Sequence, residues 1–293
     1  MRRRWLVILS LLFLVAGLGG WVYWLAQAPE KVSPPLLAAF APDAVQQIVI
    51  ERQNERLEFT RGQEGWRMVQ PFEAPADAYH MEQLLSLPNQ SSQTRYPASE
   101  LDLARLELIP PKATVRLGES EVRFGGQNPL NFQRYVQIGD TVYLIEDTLF
   151  YQLTAPATTW IEHKLLPSGH VQSLELPGWR ITAKEGGGWT SEPQLPSADI
   201  ERLMDTWRTA RAVQVNSYPQ EPPPSAERIR LSVEGKVLEF IVLQREPELV
   251  LLRPEQKLSY HFYGSIGQRL LTPTLPSPSD AGASRSRSDT PES

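Results

Sequence analysis

Cysteine is absent from this chain of 293 residues. Without a thiol, the protein has no disulfide bond, no thiolate metal site and no cysteine that carries a lipid anchor. A secreted eukaryotic domain of this length often contains disulfide bonds, so their absence favours a bacterial envelope as the setting of the protein.

Histidine is scarce, and the catalytic motifs that can be seen in a sequence are missing. The four histidines, His80, His163, His170 and His261, form neither a His-Glu-x-x-His motif nor a close pair. Glu162 beside His163 would bind a metal ion only together with a distant carboxylate, so we predict no metal site and no cofactor. No Gly-x-Ser-x-Gly motif marks a nucleophilic serine, although residues distant in sequence can still assemble a catalytic triad.

Positive charge is also in short supply. The chain has 29 basic and 34 acidic residues, which gives a formal net charge of −5. Without Arg2, Arg3 and Arg4, the remaining chain carries a net charge of −8. Nucleic acids and anionic lipids attract clustered lysine and arginine, so we predict no nucleic-acid partner and no tight electrostatic contact with a lipid surface.

One long apolar segment is present, an uncharged run from Trp5 to Ala26 that follows three arginines. At ~1.5 Å per residue, a helix of this length spans ~33 Å, enough to cross the ~30 Å hydrocarbon core of a bilayer. Basic residues before such a run hold the N-terminus in the cytoplasm. We therefore predict a cytoplasmic stub at residues 1–4, a single transmembrane helix at residues 5–26 in the bacterial inner (cytoplasmic) membrane, and a periplasmic or otherwise extracytoplasmic C-terminal domain.

A cleaved signal peptide is the alternative, because Ala26-Gln27-Ala28 has the small-x-small form of a cleavage site. The apolar run is longer than the ~7–15 residues of a signal peptide's hydrophobic region. Pro29 would follow the cut, where its ring fits a peptidase poorly. We favour a retained anchor, and both interpretations export the same domain.

Composition divides the exported part of the chain into three segments. Prolines make residues 27–43 a short, stiff spacer. Residues 44–271 have the composition of a globular region, long enough for one large domain or two small ones. The segment 272–293 is polar and rich in proline and serine, so we predict a disordered tail.

An internal duplication favours two small domains. Gly65-Trp66 recurs as Gly188-Trp189, and Ala76-Asp77 recurs as Ala198-Asp199. After each aspartate, apolar residues recur at spacings of three and four, as a helix with one buried face requires. Aspartate is a good N-cap because its carboxylate accepts hydrogen bonds from the first turn, so each aspartate is predicted to begin a helix.

Strands account for most of both copies, because β-branched and aromatic residues alternate with polar ones between glycine-containing turns. The predicted strands are Gln47–Glu51, Glu55–Thr60, Arg67–Val69, Thr114–Leu117, Glu121–Phe124, Arg134–Ile138, Val142–Ile145, Arg228–Val233, Lys236–Leu243, Leu249–Leu252 and Leu258–Tyr263. The predicted fold class is α+β, with two repeated units of antiparallel sheet and one helix in each. We place the first repeat at residues 44–158, a linker at residues 159–170 and the second repeat at residues 171–271.

The order of these landmarks resembles that of a known family. After the first helix come Phe124-Gly125-Gly126, Arg134-Tyr135-Val136, Val142-Tyr143-Leu144-Ile145 and Trp160-Ile161-Glu162-His163-Lys164-Leu165-Leu166. Over roughly residues 45–270, the chain resembles the bacterial domain-of-unknown-function family four-three-four-zero. Each motif is loose, and their order carries the resemblance.

The resemblance implies a membrane-anchored envelope protein with a duplicated β-rich domain. Some members of that family occur beside genes for export or transport machinery, which implies an accessory role. The family has no established catalytic residues, so the resemblance assigns no role to any position here. One departure is Phe240-Ile241-Val242 in the second repeat, where the first has Phe124-Gly125-Gly126.

Four residues are candidates for a ligand or partner surface: Gly125, Gly126, Asn128 and Trp179. Backbone amides of the Gly-Gly stretch would suit an anion, but the spacing and the following helix of a phosphate-binding loop are missing, so we favour a turn between strands. Trp179 follows Pro177-Gly178 and is the tryptophan least explained by packing. Those at repeated or apolar-periodic positions are predicted to pack in the core.

Paired carboxylates are the remaining catalytic candidates, because glycosidases use two of them. Asp77 and Asp199 are explained by helix capping, and Glu100 and Asp102 by a solvated loop. Catalysis would need one carboxyl whose pKa is raised by burial, and nothing in the sequence predicts such burial.

We therefore expect a non-enzymatic, membrane-anchored periplasmic protein that binds another envelope protein, as an accessory subunit of an envelope or transport complex. An exposed apolar surface, or a groove between the two repeats, would support this function. The alternative is an envelope hydrolase that acts on a glycan or another polymer through carboxylates. A small-ligand sensor is a weaker third hypothesis, because four predicted cytoplasmic residues leave no output domain. The sequence specifies neither the partner nor the oligomeric state.

Overall fold

A computed structural model describes residues 17–21, 40–53, 55–92 and 94–273. Within these ranges the chain forms two antiparallel sheets, one of nine strands and one of eight. The first sheet contains β1 (Gln47–Arg52), β2 (Glu55–Gly62), β3 (Gly65–Gln70), β4 (Ala74–Pro75), β5 (Arg95–Pro97), β6 (Ala113–Leu117), β7 (Ser120–Gln127), β8 (Arg134–Ile138) and β9 (Thr141–Ile145). The second contains β10 (Val171–Leu176), β11 (Trp179–Ala183), β12 (Trp189–Glu192), β13 (Gln214–Ser217), β14 (Arg228–Val233), β15 (Lys236–Gln244), β16 (Glu248–Arg253) and β17 (Leu258–Tyr263).

Helices are few, so the fold is mostly β. Those that accompany the sheets are α1 (Ala78–Ser86), α2 (Phe150–Thr154), α3 (Ser197–Thr209) and α4 (Ser265–Leu271). The prediction of one helix for each repeat is wrong, because a second short helix follows the last hairpin of each sheet. With 5 and 7 residues, α2 and α4 are too short to show the helical periodicity that predicts α1 and α3.

The two sheets have the same strand order. The first runs β4-β3-β2-β1-β6-β7-β8-β9-β5, and the second runs β12-β11-β10-β14-β15-β16-β17-β13. When β1 is matched to β10 and each later strand to its counterpart, the orders coincide except for the additional β4. The repeat-like, two-sheet architecture that the duplication predicts is therefore present.

Local sequence explains why these strands form. In β14, Ile229, Leu231 and Val233 are buried and alternate with more exposed polar residues, as expected of a strand with one face on the core. Glycine turns at Gly118 and Gly139 join the β6–β7 and β8–β9 hairpins, as predicted. Both adopt a positive φ, which glycine tolerates without steric cost.

Asp77 begins a helix as predicted, whereas Asp199 does not. Asp77 is the N-cap of α1, and its carboxylate accepts a hydrogen bond from the backbone N–H of His80 at 3.1 Å. Helix α3 begins earlier, at Ser197 directly after Pro196, and the α conformation is disfavoured for the residue before a proline. Asp199 consequently lies in the first turn, where its carboxylate binds the guanidinium of Arg202.

Gly125 and Gly126 are not the predicted turn but lie inside β7, at an irregularity in its pairing with β8. A Cβ on Gly125 would lie 2.4 Å from the backbone oxygen of Leu106. A Cβ on Gly126 would lie 2.4 Å from a carboxylate oxygen of Glu107. The two glycines therefore serve the close approach of the 101–112 loop to the sheet, which is a recurring role of glycine inside strands.

Buried apolar side chains from both sheets form one continuous core. Trp160 and Trp207 are its largest fully buried residues, as their sequence positions predict. The indole N–H of Trp207 donates to the backbone oxygen of Leu270 at 3.0 Å and so ties α3 to α4. The rings of Phe59 and Trp160 have centroids 5.7 Å apart.

The predicted linker, residues 159–170, is hydrogen-bonded to both repeats. On one side the backbone N–H of Glu162 donates to the oxygen of Pro75 at 2.9 Å. On the other side the oxygen of His163 accepts from the N–H of Ala212, also at 2.9 Å. With Ile161, Leu165 and Leu166 buried, the segment joins the edge of one sheet to the edge of the other.

Most of the predicted membrane anchor lies outside the described residues. Of residues 5–26, the structure describes only 17–21, which are helical. Within the described ranges, no helix has the length and the apolar character that a membrane span requires. The stub at residues 1–4, the spacer before Phe40 and the tail after Pro273 also lie outside them, and these predictions remain predictions.

Candidate functional site

A cleft with a volume of about 1340 Å³ opens between the two repeats. One wall consists of α1 and the β2–β3 hairpin of the first repeat. The other consists of the first residues of β15 and the turn from β16 to β17 in the second repeat. The linker lines the cleft between these walls with Glu162 and Lys164–Ser168.

Helix α1 presents one face to the cleft, formed by Ala78, Met81, Glu82 and Leu85. Their spacing of three and four residues is that of one helical face. Met81 is buried and Leu85 is half-buried, whereas Glu82 is exposed at the rim. The helical periodicity that predicts α1 from the sequence therefore also places an apolar strip along this wall.

Trp66 lies next to α1, on the β2–β3 hairpin, and is half-buried. The guanidinium carbon of Arg61 lies 6.0 Å from the centre of its indole ring. The counterpart in the second repeat, Trp189, has Arg208 at 5.8 Å from its ring centre. Only Trp66 of this pair lines the cleft, so the repeats offer two similar tryptophan sites, one inside the cleft and one outside it.

A cluster of charged side chains ties the two repeats together beside the cleft. The guanidinium of Arg211, in the second repeat, lies 3.0 Å from Glu162 of the linker and 3.4 Å from Asp77 of the first repeat. The ring Nδ1 of His80 also lies 2.9 Å from a carboxylate oxygen of Asp77. Because Asp77 is nearly buried, these partners satisfy a carboxylate that would otherwise be costly to bury.

The second wall combines exposed apolar residues with a buried polar network. Val237 is 66% exposed, and Leu238 is half-buried against the core. Behind them, Arg253 is buried and binds Glu255 of the β16–β17 turn through two nitrogen atoms at 2.9 and 2.6 Å. The hydroxyl of Tyr260 donates to the buried side chain of Gln256 at 3.0 Å.

Burial raises the pKa of Tyr260 to about 12. The unfolded chain releases this proton near pH 10, whereas the folded chain keeps it up to about pH 12. Between these values the folded state binds more protons than the unfolded state, so its stability falls as the pH rises. Below pH 10 the residue contributes no such loss.

We therefore expect Tyr260→Phe to be less stable than the parent at neutral pH. In alkali, the difference in the free energy of unfolding between variant and parent should shrink. Loss of the hydrogen bond to Gln256 costs about 1 kcal/mol at pH 7. Titration of the tyrosine removes about 2–3 kcal/mol from the parent between pH 10 and 12, and the variant lacks that loss. Urea unfolding of the full-length parent and variant at pH 7, 10 and 12 measures the difference. A constant difference across this range would contradict the assigned burial.

Carboxylates also line the cleft, which bears on the alternative of a polymer hydrolase. That alternative calls for a carboxyl in the cleft whose pKa is raised by burial. In the described chain, the carboxyl groups whose pKa is shifted are those of Glu121 and Glu248. Both shifts are downward, and both residues lie outside the cleft. Hydrogen bonds from Arg116 and Arg123 lower the pKa of Glu121, and hydrogen bonds from Tyr263 and His261 lower that of Glu248.

No group of three or more acidic, histidine or cysteine side chains in the described ranges is arranged to hold a metal ion. His163, which the sequence pairs with Glu162, turns its Nδ1 to the backbone oxygen of Ala212 at 2.9 Å. At that distance the nitrogen donates a hydrogen bond and joins the linker to the second repeat.

None of the four residues that the sequence offers as a ligand or partner surface lines the cleft. Gly125 and Gly126 lie under the 101–112 loop, in the first sheet. Asn128 organises the loop from β7 to β8, since its side-chain oxygen accepts from the N–H of Leu130 at 3.0 Å. Trp179 begins β11 and is half-buried against the core.

The residues that sequence reasoning missed belong to the cleft walls. Glu234-Gly235 between two apolar segments is a signal for the β14–β15 hairpin, and both residues adopt the positive φ of such a turn. Nothing in the sequence places Val237 opposite α1, because that proximity depends on how two repeats pack. Trp66 is singled out by the duplication, but the same pattern singles out Trp189 equally.

Comparison with known proteins identifies one family. Residues 66–228 match the domain of unknown function DUF4340, which confirms the resemblance drawn from the order of motifs. The matched region includes most of the first repeat, the linker and the first part of the second repeat. No curated protein and no solved structure matches the chain.

Proposed function

The chain belongs to the DUF4340 family, and from that premise we propose that it is a non-enzymatic, membrane-anchored envelope protein that binds another protein in the cleft between its repeats. The partner is an envelope protein, and this chain is an accessory subunit of the envelope or transport complex that contains the partner. The observation that carries the proposal is the cleft itself, a concave site of about 1340 Å³ with apolar side chains on both walls.

The chemistry of the cleft supports a binding role. Trp66, Leu85 and Leu238 supply apolar and aromatic surface that is only half-buried, and exposed Val237 extends it to the rim. Tryptophan is among the residues that most often dominate the binding energy at protein interfaces. Charged residues of both signs surround this surface, as they surround protein interfaces in general.

The membrane setting is supported by the N-terminal sequence. The apolar run at residues 5–26 has the length of a bilayer span, and the three arginines before it favour a cytoplasmic N-terminus. The acidic remainder of the chain fits a soluble domain that is displayed on the periplasmic side of the inner membrane.

Photo-crosslinking in intact cells tests the proposal directly. A benzophenone side chain is placed at Glu82, an exposed residue of α1 that lines the cleft, in the full-length chain. The matched control is Gln83 of the same helix, which is exposed and does not line the cleft. We expect a discrete crosslinked membrane protein from position 82 that is weak or missing from position 83.

The outcome decides between the alternatives. Mass spectrometry of the crosslinked band names the partner and its contacting residues. Equal crosslinking from both positions would mean contact by chance collision, and no band from either would remove the cleft as a partner site.

The two equivalent tryptophans provide a matched pair of variants. Trp66→Ala is expected to weaken affinity for the crosslinked partner by about thirtyfold, since a hot-spot tryptophan contributes ~2 kcal/mol or more. Trp189→Ala removes the same half-buried, arginine-stacked side chain outside the cleft and is expected to leave affinity unchanged. Similar thermal stability of the two variants shows that the difference arises in binding. Equal losses of affinity would count against the cleft.

A further inference from the structure

Strand β15 is paired along its first half on one side only. It pairs with β14 from Lys236 to Ile241. On its other side it pairs with β16, and that pairing begins at Ile241, opposite Leu252. The register places Arg253, the last residue of β16, opposite Phe240, and the following Pro254 has no N–H to continue the ladder.

The direction of the unpaired groups follows from the ladder. The N–H of Val242 donates to the oxygen of Glu227 at 2.9 Å, on the β14 side. Successive residues of an antiparallel strand turn their backbone groups to opposite sides, so Leu238 and Phe240 also face β14. Val237 and Glu239 therefore turn their N–H and C=O groups to the side on which no strand of the described chain pairs with them.

This open edge is longer in the second repeat than in the first. In the first repeat, β8 continues along β7 with the pairs Arg123–Gln137 and Val122–Ile138. Matching Phe124 to Phe240, the corresponding positions of β15 are Glu239 and Leu238, and β16 pairs with neither. The earlier end of β16 thus leaves two ladder positions open in the second repeat alone.

The open edge lies in the cleft, which is lined by Lys236–Glu239 on this wall. Four residues of strand present ~13 Å of edge, enough to pair with a short extended segment. Across the cleft, Glu64 at the tip of the β2–β3 hairpin lies 4.0 Å from the ammonium of Lys236, so the two hairpin tips approach each other at the rim. Unpaired backbone groups on an exposed edge are a template for an added strand.

We propose that the cleft binds an extended polypeptide segment of the partner protein, which adds to the second sheet as a strand beside Val237 and Glu239. This inference rests on the proposed function and specifies how the partner is recognised. Backbone groups supply the hydrogen bonds, and Trp66, Leu85 and Val237 contact alternate side chains of the segment. Because both signs of charge line the cleft, main-chain pairing and apolar contact carry recognition more than net charge does.

Val237→Pro removes one outward N–H without breaking the sheet. Residue 237 turns its backbone groups away from β14, so proline there costs no bond to β14, and proline is tolerated on strand edges. Val237→Ala keeps the N–H and is the matched control. With the benzophenone at position 82, we expect Val237→Pro to lower the crosslinking yield about tenfold, because a partner's carbonyl is left unpaired in the interface. Val237→Ala loses only the side-chain contact and is expected to lower the yield less than Val237→Pro does.

Hydrogen exchange on the parent supplies a second, mutation-free test. The probe is a synthetic peptide with the sequence of the partner residues crosslinked at position 82, added to the full-length chain in detergent. We expect the amides of Val237 and Glu239 to exchange fast without peptide and slowly with it. The amide of Leu238, which donates towards β14, is protected in both states.

Each outcome decides the inference. Equal yields for the proline and alanine variants, with unchanged exchange at Val237 and Glu239, would overturn strand addition while the crosslink at position 82 preserves the proposed function. A crosslink to the chain's own residues, or to a second copy of it, would overturn the assignment to a partner. Absence of any crosslink from position 82 would overturn both.

Discussion

Trp160→Ala is expected to lower the free energy of unfolding by about 3–5 kcal/mol, the usual cost of removing a fully buried tryptophan. The indole has no exposed surface, and its ring lies 5.7 Å from Phe59 and 5.6 Å from His80 between ring centres. Alanine leaves a cavity that the surrounding backbone cannot close, because the oxygen of residue 160 holds the N–H of Asp77 at 2.8 Å. Urea unfolding of the full-length chain, followed by far-ultraviolet circular dichroism, measures the loss.

Two controls separate the cavity from other effects. Within the described residues the indole N–H of Trp160 has no acceptor, so Trp160→Phe breaks no hydrogen bond and is expected to cost less than alanine does. Tyr151→Ala removes an aromatic ring that is 82% exposed, and we expect a change within about 0.5 kcal/mol. An alanine variant at position 160 as stable as the parent would show that the linker is not packed as described.

Gly125→Ala is expected to cost about 3 kcal/mol, at the upper end of the range for overpacked sites. The added Cβ would lie 2.4 Å from the backbone oxygen of Leu106 and 2.9 Å from the Cγ of Leu108. Relief would require the 101–112 loop to move, yet the N–H of Gly126 binds the oxygen of Leu106 at 2.8 Å. The same unfolding experiment measures this loss.

Gly62→Ala is the matched control for this substitution. Gly62 also lies in a strand of the first sheet, at the end of β2, and a Cβ there would have its nearest contact at 3.6 Å. We expect a change within about 0.5 kcal/mol. Equal effects at positions 62 and 125 would mean that the loop does not press on β7, and that loss of glycine itself accounts for the change.

Sequence reasoning recovers the parts of this fold that depend on neighbours along the chain. Strands β8, β14 and β17 have the predicted bounds, because alternation and turn glycines act over a few residues. The short strands β5 and β13 were beyond such reasoning, since each is an edge strand that pairs with the last hairpin of its sheet. Their formation depends on a partner distant in sequence.

The Gly-Gly stretch shows the same limit in another form. Adjacent glycines predict a turn when only local conformation is considered. At Gly125 and Gly126 the decisive contact comes from Leu106 and Glu107, which reach the strand through a loop of irregular structure. A sequence pattern does not show which distant backbone segments approach each other in the fold.

The candidate site is the least predictable feature. A groove between the repeats is anticipated from the duplication, but its walls are not, because they belong to segments more than 150 residues apart, such as Glu82 and Val237. The open edge of β15 arises because β16 ends early, before Pro254. It can be recognised only when the register of β14, β15 and β16 is known.

The hydrogen bonds from the linker to both sheets affect which of two binding partners loses conformational entropy when they associate. Because residues 161–164 bond to the first repeat at one side and to the second at the other, the linker ties the two cleft walls together. In the proposed complex, the loss of conformational entropy would then fall on the partner's segment, which has to become extended to bind. Stiffening that segment by cyclisation or by proline outside the paired positions should therefore raise affinity, whereas added rigidity in this chain should change it little.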